Sequence, residues 1–320
     1  MAPPAAGSLP AVHRGRRPVV WAALSYALVG TLALWPSIRP GRTLVPADDL
    51  VIATPYNVLP GAHEPHNLQL SDAAFQFFPW FKFVAAGLRH GEIRQWNPTL
   101  LGGVPVSPNG NVNPYYPVTW LAALMSPFDA YDLFVLVHLV LGALGVYVFA
   151  RAVGARAGPA WVAGLLAFAA AFWVHWSTHL VHVAGMVWVP WVLAASTWLL
   201  AAPSRRRAGA LAAVAAMWFL GGSPQYLYYG GLAVLGWAAA LVVAGRVQEG
   251  KPVVRPVLAF GGAMALGALL AAPALLPTVA TSATVARQRE PVAQTAHVPG
   301  PTPSGPWCPT RPATPPTHPT

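Results

Sequence analysis

Charged side chains are scarce in this sequence: Asp, Glu, Lys and Arg make up 9% of its 320 residues. Soluble domains carry about 25%. The surface that a water-soluble domain of this length needs is therefore missing. A hydrophobic fraction of 55% and a mean hydropathy of +0.49 indicate an integral membrane protein.

Cysteine is nearly absent as well. The single Cys308 excludes an intrachain disulfide framework and any cysteine-based metal site. No Walker loop, dinucleotide fingerprint, nucleophile elbow or HExxH motif occurs, so soluble nucleotide chemistry finds no support. The net charge of +10 does not indicate nucleic-acid binding, because the cations sit in short clusters between apolar runs and not in one stripe with interleaved aromatics.

Long apolar runs fill most of the chain instead. A membrane-spanning helix needs about 20 such residues. We predict an all-α, polytopic helical bundle of about seven spans, at roughly 18–38, 129–150, 159–175, 183–201, 208–222, 225–245 and 255–277. The first run is too long for a signal-peptide core and no small-residue cleavage site follows it, so we expect it to be retained. Residues 1–17 are then a cytoplasmic tail, and residues 18–280 form the bundle with a long external loop at 39–128.

The positions of the cations agree with this count. The loops predicted on the cytoplasmic side carry eleven Lys and Arg: Arg14, Arg16, Arg17, Arg151, Arg156, Arg205, Arg206, Arg207, Arg246, Lys251 and Arg255. The short loops predicted outside, 176–182 and 222–224, carry none. The positive-inside rule therefore predicts a cytoplasmic N-terminus.

The last segment, 281–320, is rich in proline and cannot bury a core. It is either a disordered external tail or the product of a truncation or a shift of reading frame after about residue 289. Both interpretations remain open at this stage.

The densest polar and aromatic chemistry lies at 71–117. Ser71 and Asp72 are suited to start a helix. The helix that follows is aromatic and carries Lys82 and Arg89, which is typical of a helix lying in the plane of a bilayer interface. Its predicted apolar face holds Phe75, Phe78, Phe81, Ala85 and Leu88. Pro79 should kink this helix or split it in two.

Asp72 has two interpretations. As a carboxylate on an interfacial helix, it can act as general base toward an acceptor hydroxyl, provided that partial burial raises its pKa. Alternatively, it only starts its helix.

Another carboxylate pair, Asp48 and Asp49, follows the first span. It can bind a divalent ion or a second reactant, or it can be a solvated loop pair. The sequence identifies no cofactor with certainty, and whether a divalent cation binds stays open.

Three further groups are candidates for substrate contacts. Trp96 and Asn97, in a loop with two glycines, suit a sugar ring, although ordinary turn chemistry explains them equally well. His175, His179 and His182 are spaced for one helical face, and we favour interfacial or substrate-contacting roles over zinc binding. Gln225 lies in a compact outer turn.

His138 falls inside the second predicted span. There it needs a partner, most simply a hydrogen bond within the bundle.

Taken in order, these features resemble the YfhO-like bacterial membrane proteins, within the GT-C class of multispanning glycosyltransferases. The similarity covers roughly 18–290. The matching residues are Ser71, Asp72, Gln76, Pro79 and Trp80, the stretch 91–98, Gly102 and Gly103, Tyr116 and Pro117, the stretch 182–191, the turn 221–225, the run 271–273, and Leu276 and Pro277.

The resemblance implies a polyprenyl-phosphate-linked sugar as donor, an extracytoplasmic cell-wall polymer or glycolipid as acceptor, and a bacterial inner-membrane location. Asp72 becomes the catalytic base. We assign substrate-binding roles to Gln76, Lys82, Arg89, Arg94, Trp96, Asn97, His179, His182 and Gln225, the cations pairing with the donor phosphate. Family members usually continue through further spans, which implies a truncated chain. The competing class is a transporter or a non-catalytic lipid-handling membrane protein.

Overall fold

The computed structural model describes residues 16–62, 64–107, 112–170, 175–222, 224–249 and 252–284. Residues 109–111 and the Pro-rich tail beyond 284, for which predictions were made above, lie outside these ranges. Within them the chain is mostly helical, as predicted. The described strands are one short antiparallel pair, β1 (Trp96–Asn97) and β2 (Val104–Pro105).

Ten α-helices lie in the described ranges. In chain order they are α1 (Arg16–Ile38), α2 (Phe78–Arg89), α3 (Pro127–Ala152), α4 (Ala157–Ala169), α5 (Leu180–Met186), α6 (Trp188–Ala201), α7 (Arg205–Gly221), α8 (Pro224–Glu249), α9 (Val254–Leu270) and α10 (Ala272–Thr284).

Four of these stretches are long and apolar enough to cross a membrane: Arg17–Ile38, Pro127–Ala152, Leu180–Ala201 and Pro224–Gly245. A fifth consists of α9 and α10 together, which are bent by 79° at Ala271. The remaining two predicted spans correspond to shorter helices. Helix α4 has 13 residues, about 20 Å, and α7 has 17 residues, about 26 Å. The hydrocarbon core is about 30 Å thick.

Helix α3 is central to the bundle and packs against α1, α4 and α6. Its start is fixed by Ser126, whose hydroxyl accepts a hydrogen bond from the Asp129 N–H at 3.2 Å. Small residues let the helices approach closely. At Gly164 of α4, a Cβ would lie 2.6 Å from the Ala143 carbonyl oxygen and against the Tyr26 hydroxyl.

Arginine side chains close the helix ends opposite the first loop. The Arg207 guanidinium donates hydrogen bonds to the carbonyl oxygens of Trp198 and Ala202, both at 2.8 Å, at the end of α6. The Arg151 guanidinium, in the last turn of α3, donates to the carbonyl oxygen of Ala155 in the following loop, at 2.8 Å. Both arginines thus fix the turn that follows a helix, and Arg207 also bonds to carbonyl groups of the last turn of α6.

The segment between α1 and α3, residues 39–126, is called the first loop below. It contains short 3₁₀-helices at Ala47–Ile52, Tyr56–Val58, Leu68–Leu70 and Pro117–Ala123, a π-helical turn at Ala73–Phe77, and helix α2. Buried Asp132 of α3 holds its beginning by accepting hydrogen bonds from the Thr43 hydroxyl and the Leu44 N–H, both at 2.9 Å.

The helix predicted from Ser71 and Asp72 onward contains a π-helical turn, and its apolar face agrees with the prediction at Phe81 and Ala85 but not at Phe75. A π-helical turn precedes α2, and Pro79 lies in the first turn of α2, where a missing N–H costs little. The wider π turn shifts the side-chain register. As a result, Phe75 is exposed, and the buried face consists of Phe77, Trp80, Phe81, Val84 and Ala85.

This face packs against the protein. Helix α2 lies on the 3₁₀-helix Pro117–Ala123 and on α3. Phe81, for example, contacts the rings of Tyr131 and Phe134, with centroids 5.8 and 6.0 Å away. The buried rings of this face therefore pack within the protein, whereas a helix lying in a bilayer interface would turn them toward the acyl chains.

Candidate functional site

Asp72 and Gln76 form the exposed side of the π-helical turn. The Gln76 amide donates a hydrogen bond to Asp72 Oδ1 at 2.7 Å. Asp72 lies in the first turn of the helical segment, as the helix-start interpretation predicts, although its side chain makes no capping hydrogen bond. Both residues are exposed, so the partial burial on which the general-base interpretation depended is not met.

His179 and His182 lie beside this turn, where α5 begins. Their rings are 5.2 Å apart. Phe77, from the buried side of the π turn, contacts both imidazoles edge-on, at 5.1 Å from His179 and 6.2 Å from His182. Asp72 is within electrostatic range of both histidines. The structure thus brings together two segments, 72–77 and 179–182, that are more than 100 positions apart in sequence.

Two more aromatic residues complete this group. Trp176 stacks on His182 with ring centroids 4.9 Å apart, and Tyr226 of α8 lies 5.1 Å from the same imidazole. Gln225, next to Tyr226, is exposed. We call Asp72, Gln76, Phe77, Trp176, His179, His182 and Tyr226 the carboxylate–histidine cluster. Sequence analysis did not assign roles to Phe77 and Trp176, although Trp176 lies between two of the predicted histidines.

Burial sets the charge of His179, which is only 2% exposed. Desolvation lowers its pKa to about 4, with the neighbouring His182 acting in the same direction and Asp72 in the opposite one. His179 is therefore neutral at neutral pH. The Nδ1 atoms of His179 and His182 are both buried and have no hydrogen-bond partner, so each can still bond to a ligand that enters.

The predicted phosphate-binding cations are not gathered at this cluster. Arg89, in the last turn of the 12-residue α2, is separated from the π turn by about 18 Å of helix and donates to the Met125 carbonyl oxygen. Arg94 lies over the Phe83 ring at 5.0 Å and pairs with Glu92 at 3.5 Å. Lys82 is exposed and makes no hydrogen bond or ion pair with the described residues.

Trp96 and Asn97 belong to the small hairpin that follows α2. The Asn97 side-chain oxygen accepts hydrogen bonds from the Thr99 N–H at 3.0 Å and the Thr99 hydroxyl at 2.7 Å. Trp96 packs on Gly103, where the positive φ of 122° and the indole ring both exclude a side chain. Both residues therefore have the turn-forming role that the sequence left open.

Comparison with models of protein families, with curated proteins and with solved structures finds no match. The site is therefore interpreted from its own geometry. In the described part of the chain, no three or more His, Cys, Asp or Glu side chains are arranged to hold a metal ion. His175 is among the residues that this statement covers, and its ring contacts the Trp176 ring, with centroids 4.8 Å apart.

A second polar region lies at Asp48 and Asp49. Asp48 Oδ2 accepts hydrogen bonds from the His66 N–H at 3.0 Å and from His66 Nδ1 at 2.8 Å. Asp49 is 0% exposed, and neither of its carboxylate oxygens has a hydrogen-bond partner. The interpretation as a solvated loop pair is wrong for Asp49. A cavity of about 410 Å³ is lined by Pro46, Asp48, Asp49, His66, Asn67 and Leu70.

The two carboxyl groups have opposite pKa shifts. Partial burial raises the pKa of Asp48, but the hydrogen bonds from His66 outweigh it and leave the net pKa below its ordinary value. Burial, together with the neighbouring charge of Asp48, raises the pKa of Asp49. The 3₁₀-helix that carries both residues packs against the π turn of Asp72.

The prediction for His138 is confirmed: it is fully buried and hydrogen-bonded within the bundle. Its Nδ1 donates to the Phe134 carbonyl oxygen at 2.6 Å, and Nε2 pairs with the Tyr116 hydroxyl at 2.8 Å.

Proposed function

We propose that the chain is a GT-C-like membrane glycosyltransferase, which moves a sugar from a polyprenyl-phosphate donor to an extracytoplasmic acceptor such as a cell-wall polymer or glycolipid. The observation that carries this proposal is the carboxylate–histidine cluster. It combines an accessible carboxylate, two imidazoles with unused ring nitrogens, and aromatic faces.

The proposed topology has seven spans in the bacterial inner membrane, with a cytoplasmic N-terminus. Contacts between segments support it. Tyr131 donates to the Thr178 carbonyl oxygen, and Asn113 donates to that of Leu220 at 2.7 Å. These bonds put the turns before α5 and after α7 at the same end as the first loop. Arg151 and Arg207 lie at the turns after α3 and α6, each of which follows a pass away from the first loop, and the positive-inside rule favours cations there.

In the proposed reaction, the bound donor and acceptor cover the Asp72 carboxylate, which is exposed without them, and Asp72 then removes the proton from the acceptor hydroxyl. The acceptor oxygen then attacks the anomeric carbon, and the bond from that carbon to the phosphate oxygen breaks, releasing polyprenyl phosphate with the electron pair. Gln76 orients the Asp72 carboxylate. Neutral His179 and His182 bond to sugar hydroxyls, and Trp176 offers a face for stacking on the ring.

Fewer cations are available to bind the donor phosphate than the sequence indicated. Arg89, at the far end of α2, donates to the Met125 carbonyl oxygen, and Arg94, after α2, lies over the Phe83 ring, so both are engaged by the first loop itself. We therefore keep Lys82, whose ammonium is unengaged by the described residues, as the side chain that meets the donor phosphate. Trp96 and Asn97 are not part of the proposed site.

The experiment is a transfer assay in proteoliposomes, with polyprenyl-phosphate carrying a labelled sugar. Asp72→Asn preserves size and should reduce transfer at least 100-fold, in line with the 10² to 10⁴ that a general base contributes. Asp129→Asn is the matched control, an exposed carboxylate that only meets Ser126 at the start of α3. Equal transfer by Asp72→Asn and wild type would remove Asp72 from the mechanism.

One observation favours a second candidate, a transporter or lipid-handling protein. Helices α9 and α10 are bent by 79° within an apolar stretch, and broken helices are common at transporter binding sites. Uptake of a solute by proteoliposomes without any sugar donor, unchanged in Asp72→Asn, would favour this candidate.

A further inference from the structure

Thr178 is a buried threonine whose hydroxyl makes no hydrogen bond within the described part of the chain. Only 7% of the residue is exposed. In that part of the chain seven buried side-chain atoms lack a hydrogen-bond partner, and three of them fall within 178–182: Oγ1 of Thr178, Nδ1 of His179 and Nδ1 of His182. A buried polar atom without a partner costs free energy, so each needs an explanation. Three in five consecutive positions point to a ligand.

The backbone that carries these atoms is held firmly. The hydroxyl of Tyr131, a fully buried residue of α3, donates to the Thr178 carbonyl oxygen. Four residues further on, the His182 N–H donates to the His179 carbonyl oxygen at 2.9 Å. A ligand therefore does not have to order this segment in order to bind, which lowers the free-energy cost of binding.

The three atoms suit a ligand rich in hydroxyl groups. A threonine hydroxyl donates and accepts, and each nitrogen of a neutral imidazole does one or the other. Burial keeps His179 neutral at neutral pH, and the carboxylate of Asp72 lies within electrostatic range of both histidines. An anionic group would lose its hydration here and also meet the charge of Asp72. A sugar ring therefore fits better than a phosphate or a carboxylate.

We propose that Thr178 is a sugar-binding and specificity-determining residue, whose hydroxyl bonds, together with Nδ1 of His179 and of His182, to hydroxyl groups of the sugar. This inference rests on the proposed function and adds a selection to it. A sugar that lacks the hydroxyl meeting Thr178 leaves the buried threonine without a partner, and the site discriminates against it for that reason.

A ligand has to displace a neighbouring side chain to reach these buried atoms. Phe77 is placed for this movement, because its ring contacts both imidazoles edge-on. It lies at the end of the π-helical turn, directly after exposed Gln76. Single π turns within helices are frequent at functional sites.

Binding can be measured without any lipid-linked donor. The purified chain in detergent is titrated with the methyl glycosides of glucose, galactose and mannose, and bound sugar is detected by saturation-transfer nuclear magnetic resonance. We expect wild type to bind at least one of them. Thr178→Val should bind it about three- to tenfold more weakly, as the loss of one hydrogen bond implies, and Thr178→Ser, which keeps the hydroxyl, should recover.

Thr197→Val is the matched control. Thr197 is also buried, but its hydroxyl donates to the Leu193 carbonyl oxygen at 2.8 Å and accepts from the Trp237 indole at 2.9 Å. This variant should unfold at a lower temperature than wild type and bind the glycoside equally well. Thr178→Val should unfold, without sugar, at the same or a higher temperature than wild type, because it removes a hydroxyl that has no partner.

Monodeoxy derivatives of the bound glycoside identify the contact. One of them should bind wild type and Thr178→Val equally, because it lacks the partner of the threonine hydroxyl. Four results would overturn the proposal: no binding of any of the three glycosides, equal affinity of wild type and Thr178→Val, no recovery in Thr178→Ser, or a lower unfolding temperature of Thr178→Val. Glycoside binding that depends on Thr178, in a chain that transfers no sugar, would overturn only the proposed function.

Discussion

The Tyr116 hydroxyl donates a hydrogen bond to Nε2 of His138 at 2.8 Å, in the interior of the bundle. The direction follows from the other ring nitrogen, because Nδ1 of His138 lies 2.6 Å from a carbonyl oxygen and must carry the proton. The Tyr116 oxygen in turn accepts a hydrogen bond from the Trp188 indole at 2.9 Å. This chain of bonds joins the first loop to α3 and α6.

Removing the Tyr116 hydroxyl should therefore destabilise the protein. Tyr116→Phe leaves the buried His138 Nε2 and the Trp188 N–H without partners. We expect the free energy of unfolding to fall by about 1–3 kcal/mol. Denaturant-induced unfolding in detergent measures this, with Tyr115→Phe as the control at a half-buried neighbour. An equal effect of the two substitutions would contradict the assigned network.

Close packing of α1 and α4 depends on Gly164. A Cβ there would meet the Ala143 carbonyl oxygen at 2.6 Å and the Tyr26 hydroxyl, which itself donates to the Trp161 carbonyl oxygen at 2.7 Å. Gly164→Ala should lower the unfolding free energy by about 1–3 kcal/mol. At Gly158 on the same helix no atom lies within 4 Å of an added Cβ, so Gly158→Ala should be neutral or stabilising by at most about 1 kcal/mol. Thermal unfolding of the pair tests this, and similar losses would refute it.

Asp132 fixes the beginning of the first loop. Asp132→Ala removes the acceptor of the Thr43 hydroxyl and the Leu44 N–H, so this segment should open more often. We expect amide hydrogen exchange at 43–45 to accelerate by about tenfold or more, as the loss of about 1.4 kcal/mol of local stability implies. Asp129→Ala, which disturbs only the start of α3, should leave exchange at 43–45 unchanged.

Stability should depend on pH through His179. Its pKa is about 4 in the folded protein and 6.5 in an unperturbed histidine. Between these values the unfolded chain binds a proton that the folded chain does not. Stability should therefore fall as pH drops from about 6.5 to about 4 and show no further loss from this group below that. His179→Gln should flatten this part of the profile, whereas substitution of the exposed His90 should not.

Asp72 provides an independent check on the same imidazole. Its carboxylate raises the pKa of His179 against the larger effects of burial and of His182. Asp72→Asn should therefore lower the pKa of His179 further. Nuclear magnetic resonance titration of labelled histidines measures this, and an unchanged pKa would mean that the two side chains do not interact.

The positions of the helices could be predicted from the local sequence where the apolar runs are long. The 26-residue α3 follows from a long, mostly apolar stretch between Ser126 and Arg151, which Asp129, Asp132 and His138 interrupt only singly. The buried face of the segment around α2 was predicted less well. A face predicted from hydrophobic spacing assumes 3.6 residues per turn, and the π turn at Ala73–Phe77 has more. Phe75, which was predicted on the apolar face, is exposed as a result, and Phe77 is buried. Arg89 looked like a phosphate ligand because sequence does not reveal that its guanidinium meets Met125.

The sequence by itself determined that this is a helical protein with helices long and apolar enough to cross a membrane, since length and hydropathy are properties of the chain alone. It also determined that His138 needed a partner. Only the tertiary structure decided which residues meet. Asp72 lies near His179, more than 100 positions away in sequence, because the first loop folds back over the start of α5. Asp49 became a buried carboxylate beside a cavity for the same reason: burial depends on what packs around a side chain, and adjacent sequence does not record it.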